Sequence, residues 1–349
     1  MVLDVGAATQ KVQNNREPQA EVQPGDIPRF DAVTRTNTVA LGNYNNIAEG
    51  WRTQFASSLS FVASNHEIKV GHQYIYSTLR SYNISHSHYP SGLRAVFRNG
   101  IPDSVNTYNT PTGSDRNYRE HALYVQDAWR PTPKLVLNFG LRYEDAYEWL
   151  NDGESPLCQE ETIFIAQQCF GPVSGVPDLS GFAPRFSAIY DLFGNGRTAL
   201  KFTANRYLIT QMGLSGSVNP IRVASDTRPW TDTNGDSIPQ LTELGASTGF
   251  SLGTRNRIDP HLTFPYSDEI AAEVQQELRG AVVLSTGYFY RGHRNQIGQT
   301  NVAVPRDSYI PLTVTEVSSG REVTVFNQNP ALRGQFVVVF ANHVGLDAS

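Results

Sequence analysis

Hydrophobic and polar side chains alternate with a period of two along several stretches of this chain. In KLVLNFGLRYE, residues 134–144, Leu135, Leu137, Phe139, Leu141 and Tyr143 form one set, and Val136, Asn138, Gly140, Arg142 and Glu144 the other. In HEIKVGHQYIYS, Ile68, Val70, Tyr74 and Tyr76 share a face with His72, against Glu67, Lys69, Gly71 and Gln73. Successive side chains of a strand leave opposite faces of the sheet, so this pattern predicts strands with one apolar face. A similar run begins at Trp51 and ends at Ala63, and a shorter one covers 92–98.

Turn signals join these runs into hairpins. YREHALYVQDAW (118–129) leads through Arg130-Pro131-Thr132-Pro133 into the 134–144 run. Runs 182–191 and 197–207 flank Leu-Phe-Gly-Asn-Gly, where Asn195-Gly196 suits a tight turn. Runs 268–278 and 281–291 flank Arg279-Gly280. DEIAAEVQQEL (268–278) contains good helix formers, but Ile270, Ala272, Val274 and Leu278 alternate with Glu273, Gln275 and Glu277, and strand is the expectation. Further runs are expected near 321–327 and 335–341. Residues 1–50 read as an irregular N-terminal segment, and 149–181 and 209–266 as long loops.

Turns of a few residues thus alternate with loops of thirty or more. A sandwich has loops of similar, modest length at both ends. An outer-membrane barrel has short periplasmic turns and long extracellular loops. The expected fold is therefore all-β: an antiparallel up-and-down meander from a transmembrane β-barrel, incomplete or open, with about ten strands over 51–349. The Leu135–Tyr143 face then meets outer-membrane lipid, and the Asn138/Arg142/Glu144 face a wet lumen. Arg142, Glu144, Lys201 and Asn205 are the lumen-facing candidates. Arg206 falls on the other face under strict alternation and joins them only if the strand ends or bulges there. Tyr143, Tyr190, Tyr207, Tyr288, Tyr290, Trp129 and Trp51 are expected towards strand ends, where amphipathic rings favour the headgroup layer. The alternative is a secreted or surface β-sandwich that binds glycan or protein, with the same apolar face in a dry core.

Composition agrees with strands that have one apolar face. The mean hydropathy is −0.36, yet the chain carries 16 Tyr, 17 Phe and 4 Trp. A net charge of −5 argues against a nucleic-acid binder. No run of 18 apolar residues predicts a transmembrane helix, which says nothing of barrel strands. The N-terminus, MVLDVGAATQKVQNNREPQ, has no basic segment followed by an apolar one, and the chain reads as a piece of a longer protein.

Three features invite chemistry. Cys158 and Cys169 lie close together in a loop without histidine; they read either as two separate thiols or as a disulfide closing a small loop in an oxidising compartment. WTDTNGDSIPQLTE (230–243) has calcium-loop spacing: Asp232, Asn234, Asp236, the carbonyl of Ile238 and Glu243 fall at positions one, three, five, seven and twelve. Ser237 stands where an EF-hand loop has its glycine, and Pro239 removes a donor. A weak extracellular Ca²⁺ site and a polar Asx-rich turn both fit. His86-Ser87-His88 could touch a metal, but no carboxylate neighbours it. No phosphate loop, GxSxG elbow or HExxH occurs, and no enzyme is expected.

ALYVQDAWRPTPKLVLNFGLRYE resembles the barrel signature of TonB-dependent outer-membrane receptors. The matching positions are Tyr124, Gln126, Asp127 and Trp129, a proline turn, then Leu137, Asn138, Gly140, Leu141, Arg142, Tyr143 and Glu144. FAPRFSAIYDLFGNGRTALKF, with Pro184-Arg185 and Tyr190-Asp191, and PYSDEIAAEVQQEL followed by LSTGYFYRGHRNQI, resemble later hairpins of the same barrel. The resemblance covers roughly residues 50–300 and is nearest to the Oar-like branch. It implies uptake of a bulky nutrient across the outer membrane, with a plug domain and TonB as partners that this chain does not include; adhesion or export is the alternative in an Oar-type protein. Barrels of such transporters have about twenty-two strands, so about half a barrel is expected.

Overall fold

The computed structural model describes residues 1–87, 91–210, 213–253, 256–280 and 282–347. Nine antiparallel strands form one continuous wall: β1 (Val2–Arg16), β2 (Tyr44–Ala63), β3 (His66–Ser85), β4 (Thr112–Thr132), β5 (Leu135–Leu150), β6 (Ser174–Asp191), β7 (Thr198–Leu208), β8 (Tyr266–Glu277) and β9 (Val283–Arg294). Each pairs with its predecessor and successor, as a meander requires. The wall does not close: β1 and β9 are its two edges.

Two expectations about strand inventory change. Residues 1–50 are not irregular, because β1 pairs over its whole length with β2, from Val2 opposite Ser60 to Arg16 opposite Asn46. The late runs form strands but do not join the wall. Glu322–Gln328 pairs with Tyr309–Thr315, and Val338–Asn342 lies in a separate sheet between Asn256–Ile258 and Ile297–Asn301. The wall therefore holds nine strands rather than about ten.

All the short connections sit at one end. β2–β3, β4–β5, β6–β7 and β8–β9 are joined by 64–65, 133–134, 192–197 and 278–282. In the 192–197 turn, the Asp191 carboxylate accepts from the amides of Gly194 and Gly196, both at φ 72°, where an L side chain would be strained. At the other end the connections are 17–43, 86–111, 151–173, 209–265 and everything after β9. The loop expected at 149–181 is shorter, because β5 continues to Leu150 and β6 resumes at Ser174.

The long connections co-fold. Arg29–Asp31, Thr36–Thr38, Leu93–Arg98, Ile101–Tyr108 and Ser225–Pro229, drawn from three of them, make one five-stranded sheet. Its core is Leu93, Ala95, Phe97, Val105, Phe164 and Trp230. A fourth connection is thus stapled in through Phe164.

Candidate functional site: the inner face of the wall

Register assigns every wall residue to a face. Gly71, Tyr124, Arg142, Ala183 and their cross-strand partners fall on one side, with Val70, Val125, Leu141 and Pro184 on the other. The outer side carries Leu3, Val5, Phe55, Leu59, Phe61, Val70, Leu123, Val125, Phe139, Leu141, Phe182, Phe202, Ile270, Val274 and Leu284, all exposed. A water-facing wall would not expose so many large apolar side chains in one continuous patch. The dry sandwich core is thereby overturned: nothing covers this face among the described residues, and the apolar set is the outside.

Aromatic placement is mixed. Trp129 and Tyr190 lie near the short-turn ends, Trp129 stacked on His66 with ring centroids 5.6 Å apart. Trp51, Tyr143 and Tyr288 lie well inside their strands. Tyr207 is near a strand end but faces inward, under the Arg185 guanidinium at 4.8 Å.

The motif residues Arg142 and Glu144 share the inner side and are in contact there. The Arg142 guanidinium binds the Glu144 carboxylate, donates to Gln73 Oε1 at 2.8 Å, and lies 3.9 Å from Glu120. Its reach from β5 to β3 passes over Ala122 of β4, whose methyl leaves room. Gly71 serves the same purpose for Tyr124: a Cβ there would lie 2.4 Å from the tyrosine ring. Lys201 donates to Glu273 at 3.0 Å and to Gln275, and Asn205 shares its face. Lys69, Gln73, Tyr124, Gln126, Arg142 and Arg185 surround a polar hollow of ≈220 Å³.

Arg206 is a correction. β7 pairs without a bulge to Leu208, so Arg206 stays on the outer side with Leu200 and Phe202. There it makes two hydrogen bonds to Asp268, 2.8 and 2.9 Å, and stacks over Tyr266 at 3.8 Å. A paired arginine and a tyrosine at a strand end suit the headgroup layer.

The lumen is not wet throughout. Residues 213–222 fold inward, and a short helix α1 (Leu214–Ser217) packs on the inner wall. Leu214, Leu262 and Phe264 of this long connection, with Val338 and Phe340, cover Tyr118, Ala146 and Leu179 of the wall. Glu148, 2% exposed, accepts from the backbone amides of Gly213 and Ser215 and holds the helix down. Asn219 donates to Ser114 and Thr112 to the Ile221 carbonyl. Glu120, Glu148 and Tyr118 escaped the sequence reading, although they continue the same even-numbered series as Arg142 and Glu144; extending the alternation past the motif would have found them.

Cys158 and Cys169 are bonded to each other, across the small hairpin Leu157–Gln159 and Gln168–Phe170. The calcium-like residues make their hydrogen bonds within their own segment. Asp232 accepts from the amides of Gly235 and Ser237, Asn234 from Asp236, and Asp236 from Ile238. The Glu243 carboxylate accepts from Thr233, the Gln240 amide and the Trp230 indole. Ile238 lies on this same turn. Among the described residues, no three His, Cys, Asp or Glu are grouped to hold a metal, and the bonds of 232–238 are those of an Asx-rich turn. Of the 86–88 histidines, His88 lies outside the described residues.

The sequence matches the outer membrane beta barrel domain family over residues 4–339. No curated protein sequence matches it. Among solved structures, it is similar to the outer membrane transporter YddB from Escherichia coli, with 16% identity and a TM-score of 0.49 over 93% of this chain and 35% of that one. It is also similar to the siderophore receptor PirA from Acinetobacter baumannii, with 12% identity and a TM-score of 0.35 over 85% of this chain and 41% of that one. The chain thus spans well under half the length of either protein.

Proposed function

This chain belongs to the outer membrane beta barrel domain family and lies in the outer membrane, and from that premise we propose that it is the barrel portion of a TonB-dependent, Oar-like transporter for a bulky nutrient. The motif Tyr124–Glu144 supports the receptor class. The observation that carries the transport reading is the inner face: polar side chains line it, and the long connections of one end fold over it rather than away. A wall serving only adhesion has no need of charged pairs such as Arg142–Glu144 and Lys201–Glu273 inside it. The proposed role is passage without catalysis. The outer-membrane lipid contacts the apolar side; a plug domain and TonB, belonging to the full-length system, are the proposed partners at the lumen and at the short-turn end.

Two measurements test this. Heat-modifiability of the full-length protein on gels reports whether a detergent-resistant barrel forms. Capture of that protein by the periplasmic domain of TonB from the same cell reports coupling. A barrel that forms but is not captured sinks the energy-coupled reading and leaves a passive or export barrel.

A further inference from the structure

We infer that the hollow between helix α1 and the inner wall of β1–β4 is a binding site for a small amphiphilic anion, a carboxylate with an apolar body. The hollow measures ≈320 Å³ and its surface is predominantly apolar, with Val12 and Leu79 among its walls. Two guanidiniums, Arg52 and Arg116, also line it. Neither makes an ion pair or side-chain hydrogen bond among the described residues; Arg52 is exposed and Arg116 half-buried. The one carboxylate at the hollow, Glu148, has an oxygen committed to each of the Gly213 and Ser215 amides, so it does not neutralise either arginine by contact.

The second observation is independent of charge. Ser215 is fully buried, lines the hollow, and its hydroxyl has no hydrogen-bond partner. Ser77, on the facing wall, has the same unsatisfied hydroxyl. A buried hydroxyl without a partner costs about 1–3 kcal/mol, and such groups are rare unless something completes them. Two guanidiniums without partners and apolar walls call for one kind of guest, with negatively charged oxygen acceptors at one end and hydrocarbon at the other; the two hydroxyls, closed to water while the hollow is empty, would reach it by turning about χ1. Glycine at 50, also lining the hollow, keeps β2 from filling it.

The inference rests on the barrel reading, with this guest a ligand smaller than the bulky cargo, and its test does not depend on transport. The full-length protein in detergent is titrated with octanoate by calorimetry, with octylamine as the probe of equal chain length and opposite charge. Octanoate is expected to bind and octylamine not. Arg52→Gln combined with Arg116→Gln is expected to weaken octanoate about tenfold or more. Ser215→Ala, which removes a hydroxyl that holds nothing in the fold, is expected to weaken it several-fold while the heat-modifiability shift is retained. Equal binding of the two probes, or octanoate binding unchanged in both the double-arginine and the Ser215 variants, overturns the inference. A barrel that forms and is captured by TonB but binds no octanoate overturns this inference alone.

Discussion

Asn109 and Gln159 are joined by a reciprocal pair of hydrogen bonds. The Asn109 side-chain amide donates to Gln159 Oε1 at 2.7 Å, and Gln159 Nε2 donates to the Asn109 carbonyl at 2.9 Å. Both are essentially inaccessible, and Asn109 also bonds the backbone at Arg222 and Ala224. One side chain thereby ties together three of the connections at the long-loop end. Asn109→Leu leaves the buried Gln159 Oε1 and the part-buried Ala224 amide without their partners, at about 1–3 kcal/mol each. The expected outcome is faster proteolytic cutting within 151–173 and 209–265, with the barrel's heat shift retained.

The disulfide closes a loop within one of these connections. Its loss frees the chain between Cys158 and Cys169, and chain entropy puts the effect at about 3 kcal/mol for a loop of this order. Replacing both with serine is expected to sensitise 157–170 to protease without reductant, to the level that wild type reaches only with reductant.

Glu243 is expected to make the co-folded sheet acid-sensitive. Burial pushes its carboxyl pKa up, but bonds from the Thr233 amide and hydroxyl, the Gln240 amide and the Trp230 indole favour the carboxylate and win, bringing it to about 2. A carboxyl depressed in the folded state stabilises above its unfolded value, near 4.5, and that contribution is lost as pH falls towards 2. Trp230 fluorescence is expected to change across that interval. Glu243→Gln is expected to flatten the change; an unaltered titration would show that another group carries it.

Face assignment can be tested by paired substitutions. Phe139→Arg puts a charge on the lipid side and is expected to cost about 2–4 kcal/mol of folding in bilayers if it lies near the midplane. Gln126→Arg, pointing into the polar hollow, is expected to change little. Similar costs for both would mean that the two faces do not differ in solvent.

Arg142→Ala removes the cation between Glu120 and Glu144, both 8% exposed. Leaving two buried carboxylates unopposed is expected to cost roughly 3 kcal/mol. Adding Glu144→Ala should recover part of it, and the coupling between the two, measured from denaturation of all four forms, gives the pair's interaction.

Alternation depends only on a residue and its neighbours, so the sequence by itself determined the strands from Trp51 to Arg291, their hairpin turns, and which of Phe139 and Arg142 goes where. It also placed Arg206 on the outer side by parity; the lumen role was the error, and the unbroken register of β7 removed it. Tertiary structure decided what local pattern cannot encode. β1 carries apolar residues on both faces, Val2 and Val12 on one and Leu3 and Val5 on the other, so no single apolar face shows in its sequence; it becomes a strand because the edge of β2 offers backbone partners along its whole length. Val338–Asn342 has a strand's composition yet leaves the wall, because the apolar cluster over Tyr118 and Leu179 takes Val338 and Phe340. The hollow beside α1 belongs to the same class. Arg52, Ser77, Arg116 and Ser215 are far apart in the chain, and only strand pairing and the inward fold of one long connection bring them to a common space.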